Sequence, residues 1–233
     1  DVSKHTGAYK VTADDTPLEV ANRIRSQQQT PVKFTFNNLR TKEQFAERAA
    51  KQLMMREGDV LALLNDEAFC ESLGKSSATI VSVLQPDSYE FYWNVKPKEM
   101  IVALKKYYDK FWNDTRKTKA KSLNLTPDEV VTLASIVEEE TLKSDERGAV
   151  ARLYLNRLNK GMLLQADPTV KYAIGDFALR RITFDMLTID SPYNTYRYQG
   201  LPPGPIRMPE KATLNAVLNA QKHNYLYMCA KED

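Results

Sequence analysis

Glu140 is a carboxylic acid placed where an apolar side chain is expected. It closes the stretch VVTLASIVEEE, in which Val130, Leu133, Ile136 and Val137 share one face of a helix. Glu140 follows Leu133 by seven residues and therefore lies about 20° from it, on that same face. By the same count Glu138 and Glu139 are directed to the polar side. A carboxyl group among apolar neighbours loses hydration, which disfavours its charged form and raises its pKa. It then stays protonated near neutral pH, able to give a proton to a leaving oxygen. The pattern also has a plainer meaning. Glu140 would mark the end of the buried stripe, where the helix frays into solvent and the dipole disfavours an acid.

Other chemistries have less to work with. His5 and His223 are the only histidines of the 233 residues, which argues against a Ser-His-Asp hydrolase and a histidine-rich zinc site. Cys70 and Cys229 lie far apart in apolar surroundings and read as buried thiols, neither a disulfide framework nor a metal-ligand spacing. The 33 basic and 30 acidic residues leave a net charge of +3, and the basic cluster RKTKAK (116–121) carries no interleaved aromatics. A nucleic-acid partner is not expected from such a pattern. The mild positive balance suits an anionic polymer. Three loops offer polar groups. In QADPT (165–169), Asp167 reads as a helix cap with Pro168 first in the helix. SPYNTY (191–196) combines amide, hydroxyl and aromatic groups, which hydrogen-bond sugar hydroxyls and stack on sugar rings; taken singly, they are ordinary loop residues. GLPPGPI (200–206) is rigid and extended, able to wall a groove or to mimic a proline-rich ligand.

The elements that must position these groups are marked in the sequence. Thr126-Pro127-Asp128-Glu129 is a helix start with a capping box, so Glu140 ends a helix of about four turns. Ser144 caps the next helix, Val150, Leu153, Tyr154, Arg157 and Leu158 form its stripe, and Gly161 ends it. Upstream, residues 7–11 read as a short strand. Asp15-Thr16-Pro17 starts a helix with Leu18, Ala21 and Ile24 on one face. Val32, Phe34 and Phe36 alternate as in a half-buried strand. Residues 41–73 are helical, with Phe45, Ala49, Leu53 and Met54 at helical spacing. The aromatic stretch VLQPDSYEFYW (83–93) is either a recognition surface or a packing joint. One long helix is expected over residues 98–117, a short one at 214–218 and a strand at 225–229. No run of about 18 apolar residues is present, so this chain offers no transmembrane helix. It starts at Asp1 without Met and reads as a fragment or processed form from which a signal or anchor has been removed.

LASIVEEET, LNRLNKGMLLQADPTVKYA, SPYNTY, GLPPGPI and YLYM, in this order over residues 133–228, resemble the YceG-like endolytic murein transglycosylases (the MltG family). PDSYEFYW and GAYKV fit the family's upstream region more loosely. The resemblance implies an α+β fold, with a small LysM-like N-terminal subdomain packed on a mixed, helix-rich catalytic domain. Here residues 1–40 would be part of that subdomain, 41–97 a connecting helical and aromatic region, and 98–233 the catalytic domain. It implies that Glu140, the acid before threonine in E-x-E-T, is the catalyst. It places Glu138, Gln165, Asp167, Thr169, Tyr193, Asn194, Thr195 and Tyr196 along the substrate groove, with no metal and no organic cofactor. The implied reaction cleaves the MurNAc–GlcNAc linkage of nascent peptidoglycan glycan strands. It leaves 1,6-anhydro-MurNAc ends and terminates elongation beside peptidoglycan synthases. The implied location is the inner membrane, with a single-pass anchor outside this chain and the catalytic domain in the periplasm or cell envelope. Two departures stand out. Arg207-Met208-Pro209-Glu210 replaces the family's Asn-Pro-Gly after GPI, and the chain stops at Asp233, short of a family segment bearing His and Phe. A non-catalytic peptidoglycan-binding scaffold and a water-using muramidase are the alternatives.

Overall fold

Capping side chains set the helix starts. In the computed structural model, which describes residues 5–228, threonine opens three helices: Pro17–Arg25 (α1), Lys42–Gln52 (α2) and Pro127–Glu140 (α7 in chain order). In each, the threonine hydroxyl accepts from the third helical N–H, and the Glu or Gln at that position accepts from the threonine N–H. Strand Val32–Phe36 (β1) lies between α1 and α2. After α2 come Glu57–Asn65 (α3) and Glu67–Ser72 (α4), so the helical region 41–73 is three helices. A 3-10 turn, Ile80–Val83, leads to strand Asp87–Phe91 (β2).

The two strands pair antiparallel with Val32 opposite Phe91, Phe34 opposite Tyr89 and Phe36 opposite Asp87. The two-residue period sends Phe34, Phe36, Tyr89 and Phe91 to the same buried face. There Phe45 of α2 packs edge-on against Phe36, ring centroids 5.1 Å apart. Tyr89 and Phe91 make the 83–93 stretch a packing joint, while Tyr92 remains exposed.

Pro97–Phe111 (α5) and Asp114–Ser122 (α6) replace the single helix expected over 98–117. Trp112 is buried, and the Asn113 side chain accepts from Arg116 N at 3.0 Å and caps a new helix in its place. Helix Arg147–Asn159 (α8) starts later than Ser144 suggests, after a turn in which the Thr141 hydroxyl donates to Glu146 and accepts from Lys143 N. Asp167–Ile174 (α9) is preceded by Ala166 in the cap position, so Asp167 is its first helical residue. Lys211–Leu218 (α10) closes the helical part. Residues 7–11 are not a strand, although Thr30 N donates to Ala8 O and Lys10 N to the Thr30 hydroxyl. Residues 225–228 are irregular: side chains of Asn156 and Arg157 take the carbonyls of Tyr225 and Leu226 that a strand neighbour would have used. Cys70 is buried, and Cys229 lies outside the described residues. Among the described residues no helix is long and apolar enough to cross a membrane.

Helix α7 is the axis of the molecule. It packs against α6, α8, α9 and α10, and every residue from 130 to 138 is buried. That differs from a helix with one apolar stripe. Glu138 and Glu139 therefore do not face solvent, and both are answered by charges from distant parts of the chain.

Candidate active site

The last turn of α7 carries three consecutive glutamates with three different fates. The Glu138 side chain is 3% exposed; it accepts from Glu210 N at 2.9 Å and from the Thr213 hydroxyl. Its carboxylate lies 3.1 Å from Arg207 Nε and 3.8 Å from Arg147 Nη1. Glu139 holds Arg207 at 2.8 Å and Arg40 at 3.0 Å. Glu140 makes no ion pair among the described residues. It lies near the hydroxyl of Tyr154 and opens into a cleft of about 180 Å³ that both residues line.

Burial pushes the Glu140 carboxyl above the ordinary range, and the negative charge of Asp167 adds to this. The hydrogen bond from Tyr154 and the charge of Lys171 act the other way. Burial raises Tyr154 well above a normal phenol, so its hydroxyl remains a donor. The result is an acid able to hold a proton, beside a hydroxyl that favours the carboxylate once the proton has gone.

The cleft is built from four pieces of chain. Helix α8 runs beside α7 and supplies Leu153, Tyr154 and Arg157. The turn before α9 supplies Leu164 and Gln165, α9 supplies Asp167, and the tail adds Tyr227 and Met228. Arg157 binds these pieces together. Its guanidinium donates to the carbonyls of Leu164 at 2.9 Å and Leu226 at 2.7 Å, reaches Gln165 Oε1 at 3.3 Å, and lies 5.1 Å from the Tyr227 ring centre. Gln165 has a positive φ of 51°, which turns the chain sharply into α9. The Tyr196 hydroxyl donates to Asp167 Oδ1 at 2.5 Å and fixes that carboxylate at the rim.

A profile of the YceG-like family matches residues 2–233. The chain belongs to the YceG-like family. Among its relatives is a Bacillus subtilis protein named endolytic murein transglycosylase, 33% identical over 204 residues, covering 82% of this chain and 56% of that one. A Streptococcus pneumoniae protein of the same name is 35% identical over 136 residues, covering 57% of this chain and 24% of that one. The chain thus spans about half the length of the first relative and about a quarter of the second. A yceG-like protein from Listeria monocytogenes superposes with a TM-score of 0.75 at 29% identity, over 95% of this chain and 78% of that one.

In this YceG-like chain the nine residues singled out in the sequence divide by position. Glu140, Gln165 and Asp167 line the cleft, and Tyr196 reaches it through Asp167. Glu138, Thr169, Asn194 and Thr195 are buried and hold loops in place. Thr169 and Thr195 share a hydroxyl–hydroxyl bond of 2.8 Å, and Thr195 Oγ1 accepts from Ala166 N at 3.0 Å. Asn194 Nδ2 donates to the carbonyls of Leu187 and Ile189. Tyr193 packs on Tyr172, with ring centres 4.8 Å apart, away from the cleft lining. Tyr154 and Arg157 read in the sequence as core residues of an amphipathic helix. A tyrosine and an arginine three apart in an apolar stripe, each needing hydrogen-bond partners, was the available signal of a second role.

The GLPPGPI segment runs against α7. Ile206 N donates to the Ser135 hydroxyl at 3.0 Å, and this bond is fully buried. A β-carbon at Gly204 would come within 2.2 Å of the Ala78 carbonyl oxygen, so no larger residue fits there.

Proposed function

We propose that this chain carries the catalytic site of a peptidoglycan lytic transglycosylase, with Glu140 as its acid and base. The observation that carries the reading is the contrast among three adjacent glutamates. Glu138 and Glu139 are both held by Arg207, whereas Glu140 has no ion-pair partner among the described residues, lines the cleft walled by Tyr154 and Arg157, and has its protonated form favoured by burial.

Glu140 first donates its proton to the oxygen linking MurNAc to GlcNAc, and the bond from that oxygen to C1 breaks. The Glu140 carboxylate, beside the Tyr154 hydroxyl, then accepts the proton of the MurNAc C6 hydroxyl. The C6 oxygen bonds to C1, giving a 1,6-anhydro end and restoring the protonated acid. One carboxyl serves both steps because the nucleophile belongs to the sugar. On this reading residues 98–233 form the catalytic unit and residues 1–40 belong to a LysM-like subdomain. The protein acts endolytically on nascent strands in the cell envelope, anchored in the inner membrane beside peptidoglycan synthases, and ends their elongation.

One observation favours a second reading. The Asp167 carboxylate lines the same cleft, and such a pair can instead activate water. Mass spectrometry of products from purified, uncrosslinked glycan strands decides. Anhydro ends from the wild type, absent with Glu140→Gln, support transglycosylation. Products heavier by one water would assign hydrolysis, and strands of unchanged length would assign binding without cleavage.

A further inference from the structure

A second cleft of about 170 Å³ lies beside the first, lined by Arg40, Glu139, Pro168, Lys171, Phe177 and Ile206. The two have no lining residue in common but draw on the same two helices. Glu139 and Glu140 are neighbours on α7, while Asp167 and Lys171 lie four apart on one face of α9, about one turn from each other. The wall residues of the second cleft carry two cations and one carboxylate. Arg40 is committed, since it pairs with Glu139 and its guanidinium carbon lies 5.4 Å from the Phe177 ring centre. Lys171 differs: among the described residues its ammonium has no ion pair and no side-chain hydrogen bond.

We infer that this second cleft is a subsite for a carboxylate-bearing substituent of the bound glycan, the lactyl-linked stem peptide, with Lys171 as its charge partner and Phe177 as its apolar wall. The inference rests on the glycan-cleaving reading above. A strand seated with a glycosidic oxygen at Glu140 runs past α9. A substituent one helical turn away then meets a free ammonium, a proline and an aromatic ring. A neutral sugar would offer that ammonium no ion pair, whereas a peptide carboxylate pairs with it at the edge of an apolar patch.

The test measures binding in the full chain carrying Glu140→Gln, so that nothing is cleaved. The probes are uncrosslinked glycan strands with intact stem peptides and the same strands stripped by an amidase. The expected result is a preference for peptide-bearing strands. It falls about fivefold when Lys171→Met is added, the factor of a half-solvated ion pair, and is kept by Lys171→Arg. The preference should also shrink as salt rises. A preference unchanged by Lys171→Met, or no preference at the start, overturns the subsite while leaving the glycan reading intact. Binding of neither strand overturns both.

Discussion

Glutamate to glutamine at positions 138 and 140 replaces one carboxylate oxygen by an NH2 group two residues apart on one helix, yet the structure gives the two substitutions opposite signs. At 138 the neutral amide keeps a carbonyl to accept from Glu210 N and Thr213, but the charge facing Arg207 and Arg147 is lost. Removing one partner of a buried pair costs roughly 3–5 kcal/mol. Arg207 retains Glu139 and Arg147 retains Glu210, so the loss here is smaller, roughly 2–3 kcal/mol. For a chain of this size that lowers Tm by about 4–12 °C. At 140 the folded-state pKa is raised, so the folded protein favours the protonated acid. That contribution is complete below the unfolded carboxyl pKa, about 4.3, and is lost as pH rises through the folded value. Above it the wild type carries a desolvated charge that glutamine lacks. Glu140→Gln should therefore have a Tm no lower than wild type at neutral pH, with an advantage that disappears on acidification. Thermal unfolding followed by circular dichroism at several pH values reads both. A Glu138→Gln protein melting within about 2 °C of wild type, or a Glu140→Gln protein less stable at pH 7.5 than at pH 5 relative to wild type, would refute the reasoning.

The other predictions concern the cleft and the groove wall. Tyr154→Phe removes a hydroxyl that lowers the Glu140 pKa, so the high-pH limb of kcat/KM should move to higher pH. Asp167→Asn removes a charge that raises the same pKa and should move that limb to lower pH. The two shifts must differ in sign in pH–rate profiles on glycan strands. Ser135→Ala strands the buried Ile206 N–H and should cost roughly 1–3 kcal/mol in urea unfolding. Gly204→Ala forces a side chain onto the Ala78 carbonyl and should cost about as much or more, with no rescue by Gly204→Ser.

What the sequence disclosed was local. Thr16, Thr41 and Thr126 announced their helices because a capping box is complete within four residues. Phe34 and Phe36 announced a strand, but its neighbour lies some fifty residues on, and nothing local pairs Phe34 with Tyr89. The break after Trp112 had a signal in Asn113, a good cap, which the strong apolar stripe through Phe111 concealed. The glutamates are the instructive case. Periodicity set Glu140 apart by assuming one wet face for α7. The helix has none, and Glu138 is the more deeply buried acid. What separates them is the partner each one meets. Arg40 and Arg207 arrive from about a hundred residues before and some seventy after, a distance that no count along α7 can reach.

A helix buried on every side has no amphipathic face to fix its rotation in the core. Helix α7 acquires one another way, because its final turn is keyed like a lock. Turning it by one residue, about 100°, would bring Glu139 to the Tyr154 cleft, Glu138 to Arg40, and the apolar Val137 to the place where Arg147, Glu210 N and Thr213 meet a carboxylate. Glu138 and Glu139 thus act as the indexing pins that hold Glu140 to a single angular setting, and neither of them lines the cleft that Glu140 enters.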